Sequence, residues 1–256
     1  MVGCLAAALL LRPGSAQNAF EVASVKPADP NDPIVAWHSY PGGRVVITNF
    51  TLTMLIEAAY GVSIYNIVGG PSWKDQEAYS ITARAPAGSA AAAAISDKTK
   101  APPPPEILAM LRSLLEDRFS LMVHRETRQL PVYALVVGRR GPKLQISRDP
   151  SAEPDWSIRR GEIVAHHCDM AWLSGVLERH FKRTVLNQTG LTGKYDFHFK
   201  FDPRSHDVTA GADAIIDPTR PPLEDALETQ TGLKLEETKA AVEVLVIDRA
   251  RRPSAN

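Results

Sequence analysis

The sequence predicts an α+β protein of two similar lobes. Three observations carry that expectation: apolar runs of strand length, apolar stripes at helical spacing, and a match of the chain to itself. The stretch from Gly43 to Leu55 aligns without gaps onto Gly161 to Leu173. In each copy a strand-like run ends at a residue whose side-chain oxygen can accept from the first free amides of a helix, Thr51 in one and Asp169 in the other. Leu52, Leu55, Ile56 and Ala59 then fall on one helical face, as do Met170, Leu173, Leu177 and Phe181 in the second copy. Either stripe can cover a sheet.

The later elements follow in the same order. Turn-forming residues come next, Gly69-Gly70-Pro71 and Thr189 to Gly193, leading to strands around Tyr79-Ser80-Ile81 and Tyr195-Asp196-Phe197. A second helix begins after prolines in both halves, before Ile107 and before Leu223, where a missing amide costs little. Leu108, Leu111, Leu115 and Phe119 form its apolar positions in one copy, and Leu223, Ala226 and Leu227 in the other. Each half should close with two strands, Phe119–His124 and Val132–Val137, then Leu233–Glu236 and Val242–Ile247. Phe20–Val25 should add a strand at the start.

This order, β-α-β-α-β-β in each lobe, favours mixed or antiparallel sheets with helices on one face and points to an internal duplication. The lobes are expected over residues 18–146 and 156–256, joined by the irregular segment Ser147–Asp155. The Ala/Pro-rich stretch 85–105, with Ala90 to Ala94 and Pro102 to Pro105, reads as a mobile loop. Asp202–Pro218 reads as a second insertion.

Residues 1–17 resemble a secretory signal peptide: an apolar run, Cys4 to Leu11, precedes Arg12-Pro13-Gly14 and the small pair Ser15-Ala16. Removal of that leader would leave Cys168 alone, with no intramolecular disulfide. The 29 Lys and Arg balance 29 Asp and Glu, so no overall field draws the chain to nucleic acid. No stretch after the leader reaches the roughly 20 apolar residues of a membrane-spanning helix. Neither nucleic acid nor stable membrane insertion is expected for the mature chain.

Several motifs carry a family resemblance. They are Phe20 to Pro27, Ala59-Tyr60-Gly61, Gly69 to Trp73, Leu114 to Phe119, Leu130 to Leu135, Gly141 to Leu144, Thr189 to Phe197 and Val246-Ile247-Asp248. Together they resemble the soil-associated paralogous secreted protein family, a domain of unknown function expanded in acidobacteria. The resemblance implies secretion and many paralogues, and it brings no activity or catalytic residues to carry over. Asn187 stands where that family more often has an acidic residue.

Chemistry-bearing motifs are few. His166-His167-Cys168-Asp169 is the one cluster that suggests metal binding, but adjacent side chains on a strand point to opposite faces and cannot converge on one ion. Asp169 is expected to cap, Cys168 to pack like Phe50, and the histidines to lie at the surface, with His180 close enough in sequence to join them on the next helix. No nucleophile elbow, zinc-protease helix or phosphate loop is present, so no catalytic, cofactor or metal residue is assigned. Trp73, behind a rigid Gly-Gly-Pro turn, is a possible binding anchor or a plug over the sheet, and Tyr60 and Tyr195 join it as a possible binding surface. Glu116-Asp117-Arg118 reads as surface ion pairing, Arg139 to Lys143 as a charged hairpin tip, and Arg249, Arg251 and Arg252 as a basic tail.

These readings lead to an extracytoplasmic binding or interaction module for a peptide, a glycan or an envelope protein, with a groove between lobes or an exposed strand edge as its site. A hydrolase whose residues meet only in the fold, or a regulatory domain for an envelope protease, are the alternatives.

Overall fold

The computed structural model describes residues 18–94, 103–149, 151–159, 161–202 and 219–253. The expected leader lies outside the described residues, as do 95–102 of the Ala/Pro-rich stretch and 203–218 of the second insertion. The chain forms two compact units, one running up to Glu126 and resuming at Val244, the other Thr127–Glu243.

In the first unit β1 (Val22–Pro27), β2 (Ala36–Tyr40), β3 (Arg44–Thr51), α1 (Leu52–Tyr60), β4 (Ile67–Gly69), β5 (Ala78–Arg84), α2 (Ala90–Ala94) and α3 (Pro105–Arg118) precede the long strand β6 (Met122–Val137). Four strands make an antiparallel sheet in the order β1-β5-β3-β2. The α1 stripe packs on it as its spacing demands, with Leu52, Leu55, Ile56 and Ala59 all buried. Thr51 caps α1 by accepting from the Met54 amide at 3.3 Å. Pro105 opens α3 as expected, but its buried face is Ile107, Met110, Leu111, Leu114 and Leu115, so the stripe is turned slightly and Leu108 is only half-buried. Phe119 closes this core, its ring edge-on to Tyr79 at 5.1 Å.

Two residues of the described part of the Ala/Pro-rich stretch pack into the first core. Ala85 and Ala91 are fully covered. A Cβ on Gly43, at φ 78, would stand 2.8 Å from the Ala85 Cβ and 3.1 Å from Ala92, so only glycine permits this close turn.

In the second unit β7 (Gln145–Ile146), β8 (Asp155–Arg159), β9 (Glu162–Cys168), α4 (Met170–Phe181), β10 (Val185–Asn187), β11 (Tyr195–Lys200) and α5 (Leu223–Ala226) follow. Their sheet has the order β7-β11-β9-β8, again antiparallel throughout. Asp169 caps α4 by accepting from the Trp172 amide at 2.8 Å. Met170, Leu173 and Leu177 are buried beneath it, while Phe181 rests against Tyr133 at 5.3 Å between ring centres. The second helix of this half begins at Leu223 as expected, and α5 gives way after one turn to a π turn, Leu227–Thr231.

One expectation needs correction. The pairs of closing strands are single strands, β6 and β12 (Leu233–Arg249), each unbroken. Their middles, Arg125 to Gln129 and Glu236 to Lys239, are polar and mostly exposed, so the apolar pattern lapses while the backbone stays extended. No glycine or asparagine interrupts either stretch. The short strands β4 and β10 add parallel pairings, Ile67–Gly69 with Leu245–Ile247 of β12 and Val185–Asn187 with Tyr133–Leu135 of β6. The architecture is α+β with mixed and antiparallel sheets.

Leu173, fully buried between α4 and its sheet, tests the second core. Leu173→Ala should lower unfolding free energy by about 2–5 kcal/mol in urea titrations, the range for leucines truncated in well-packed cores; a loss below ~1 kcal/mol would show that α4 is not a core element.

Candidate functional site

The same hinge joins strand to helix in both units. Thr48 and Asn49 stand opposite Ser80 alone, and His166 and His167 stand opposite Asp196 alone, two β-bulges with Asn49 and His167 both at φ 56. Asn49 holds its bulge by donating from Nδ2 to the Asp32 and Ile34 carbonyls at 2.6 and 2.8 Å. His167 holds the other through its amide, which donates to Asp196 Oδ1 at 3.1 Å, and through a ring contact from Nδ1 to the Ser147 hydroxyl.

His167 is therefore not the surface residue its sequence suggested. The Ser147–His167–Asp196 grouping has the residue types of a hydrolytic site, yet Ser147 is buried. Cys168 is buried beside it, and desolvation, reinforced by Asp169, Asp155 and Asp196, pushes its thiol up to about 11. His166 is exposed, and His180 lies edge-on to Phe181 and Phe201 at 5.0 and 5.5 Å. No metal-ligand cluster is found among the described residues.

The three residues expected as a binding surface have different surroundings. Trp73 is buried, edge-on to Tyr79, and Arg252 lies over its ring at 5.3 Å while gripping Glu77 through two hydrogen bonds of 2.6 and 2.8 Å. That grip holds the Glu77 carboxyl below the usual carboxylate range, and burial with Glu77 nearby pushes the Tyr79 phenol up to about 12. The basic tail is thus tied down. Tyr60 is half-buried and lines a cavity of about 540 Å³ with Glu116, Met122 and Asp248. Burial, then Glu116, raises its phenol. Tyr195, in the second unit, is buried with its hydroxyl donating to the Thr192 carbonyl at 3.0 Å.

The feature that sequence reading missed is β8. Asp-Trp-Ser-Ile-Arg alternates polar and apolar residues, the period of a strand, but the segment before it read as irregular. It is the terminal strand of its sheet, and all five of its residues are exposed. Trp156 and Ile158 sit across from Ala165 and Ile163 of β9, so they share the face on which α4 packs. Trp156 is 56% exposed and Ile158 43%. Trp156 abuts Trp172 at 6.2 Å, which in turn stacks on the core residue Phe197 at 6.0 Å. Ile158 lines a cavity of about 250 Å³ whose other walls include Val176 and His180 of α4, Phe201 and Leu223. Among the described residues, an open strand edge thus runs beside an apolar recess. The matching edge strand of the first unit is more closed: Trp37, paired with Ile47, is half-buried, edge-on to Phe50, and donates to Ser39 Oγ at 3.0 Å.

In the first unit His124 of β6 meets Asp248 of β12, with Nδ1 at 3.0 Å from both carboxylate oxygens, and Glu126 lies 3.6 Å from Nε2. The hydrogen bond to Asp248, with the charges of Asp248 and Glu126, raises the imidazole above its ordinary value of 6.5. A raised folded value means that the contact stabilises fully below pH 6.5 and is lost as pH rises through the higher folded value. The NMR titration of His124 should therefore give a midpoint above 6.5 that falls in Asp248→Asn; an unchanged midpoint would remove Asp248 as the cause.

A family model described as "Protein of unknown function (DUF3738)" matches residues 53–250, more than half of the chain. No curated protein and no solved structure matches it.

Proposed function

The chain belongs to the DUF3738 family of proteins of unknown function, and on that premise we propose that it is a binding module that captures an extended peptide by strand addition along β8. The observation that carries this reading is the juxtaposition of the exposed edge strand with the recess lined by Ile158, Val176 and His180. A strand edge offers unpaired backbone amides and carbonyls, and natural proteins usually blunt such an edge with charge, proline or a bulge. Here charge sits at the two ends of the strand, Asp155 and Arg159, and Trp156 and Ile158 lie between them.

An added strand would pair through its main chain, which supplies affinity without reading sequence. Its alternate side chains, about 7 Å apart, would fall on one face of the sheet. One would rest beside Trp156 and the next over the recess by Ile158, which supplies a preference for apolar residues two apart. Panning a displayed random peptide library against the full chain should enrich peptides with that alternation, and binding should weaken at least about tenfold in Trp156→Ala or Ile158→Glu, as for a buried aromatic anchor. Absence of enrichment, or binders indifferent to both substitutions, would sink the proposal.

The same reading places the protein outside the cytoplasm. It is supported by the apolar run Cys4–Leu11 ahead of Ser15-Ala16 and by the family resemblance. Fractionation of a bacterial host should recover a chain beginning after Ala16 from periplasm or medium; a cytosolic chain that keeps Met1 would overturn the export.

A further inference from the structure

The charged segment Arg139–Lys143 links β6 to β7, and backbone hydrogen bonds hold it in place. The Gly141 amide closes its turn on the Gly138 carbonyl at 3.0 Å. Gly138 and Lys143 donate from their amides to the Gly232 and Thr231 carbonyls, each at 2.8 Å, stitching the tip to the π turn. Gly232, at φ 73, makes this approach possible: a Cβ there would stand 2.2 Å from the Gly141 carbonyl oxygen and 3.1 Å from the Lys143 nitrogen. π turns of this kind recur at functional sites.

The stitched tip and the π turn line a cavity of about 670 Å³, within the range of small-molecule sites. Arg139, Arg140, Lys143 and Lys234 face it against two carboxylates, Glu228 and Glu236. Lys234 and Glu236 pair with each other at 3.2 Å. Lys143 Nζ donates to the Thr229 carbonyl at 2.7 Å, which fixes its position without neutralising it. Arg139 and Arg140 are exposed and have no ion-pair or hydrogen-bond partner among the described residues. None of these groups belongs to β8 or its recess.

We propose that this cavity binds a small oxyanionic ligand, with Arg139 and Arg140 as its grip and Lys143 as a fixed third cation. Guanidinium forks match phosphate and carboxylate oxygens two at a time, and adjacent unneutralised arginines repel each other until an anion sits between them. A concave site favours a compact anion over a polymer, because the chain as a whole carries no net charge to steer one.

Calorimetric and amide NMR titrations of the full chain with inorganic phosphate, pyrophosphate and citrate at low salt test this. Saturable binding with shifts at the Gly138, Gly141 and Gly232 amides is expected, weakened at least tenfold in R139A/R140A but unchanged in Arg148→Ala, which lies outside the cavity. Tighter pyrophosphate than citrate would mark a phosphoryl ligand, and the reverse a polycarboxylate. Lack of saturable binding by all three anions, retention in a folded double variant, or equal weakening by Arg148→Ala would overturn it.

Discussion

The second core depends on how the chain turns out of β9 into α4. His167 takes the left-handed backbone conformation that most side chains avoid, and the register slips there by one residue. The slip redirects the chain so that Asp169 can cap the helix and Met170, Leu173 and Leu177 meet the sheet. Straightening the bulge would flip every later side chain to the opposite face. Asn49, Thr51 and α1 solve the same problem in the first unit with different chemistry, an asparagine amide on two carbonyls in place of a histidine on a serine.

Much of this was legible because it follows local rules. The caps Thr51 and Asp169, the α1 stripe and Pro105 at the start of α3 are each set by a few neighbouring residues and their own hydrogen bonds. The long strands were not legible, because Arg125–Gln129 and Glu236–Lys239 are exposed and periodicity records burial rather than extension. Tertiary partners also decided the fate of individual side chains. Trp73 lies under Arg252, from near the other end of the chain, and His167 meets Ser147 from a segment that read as irregular. Neither contact has a sequence signature.

The candidate site was hidden for a related reason. Five residues of β8 are too few to announce a strand when an irregular segment precedes them, although Trp156 and Ile158 do alternate. Their exposure is what gives them meaning. A tryptophan in a terminal strand can be folded inward, as Trp37 is, with its indole N–H satisfied by Ser39 and its edge against Phe50. Trp156 instead extends the aromatic row of Trp172 and Phe197 to the sheet's margin. An added strand would continue that row and cover it.

Among the described residues of the second unit, Cys168, Ser147 and His167 are committed to the fold. A nucleophile must be reachable and easily ionised, whereas Cys168 is buried with its thiol pushed up to about 11 and Ser147 is buried against His167. His167 and Asp196 spend their hydrogen bonds on the bulge, and removing them would loosen the strand-to-helix hinge before it altered any reaction. What the second unit leaves open is of another kind: a strand edge with two apolar side chains, and a fixed turn presenting two arginines to a cavity. The two proposed modes of binding would use them differently, one by backbone pairing and one by charge.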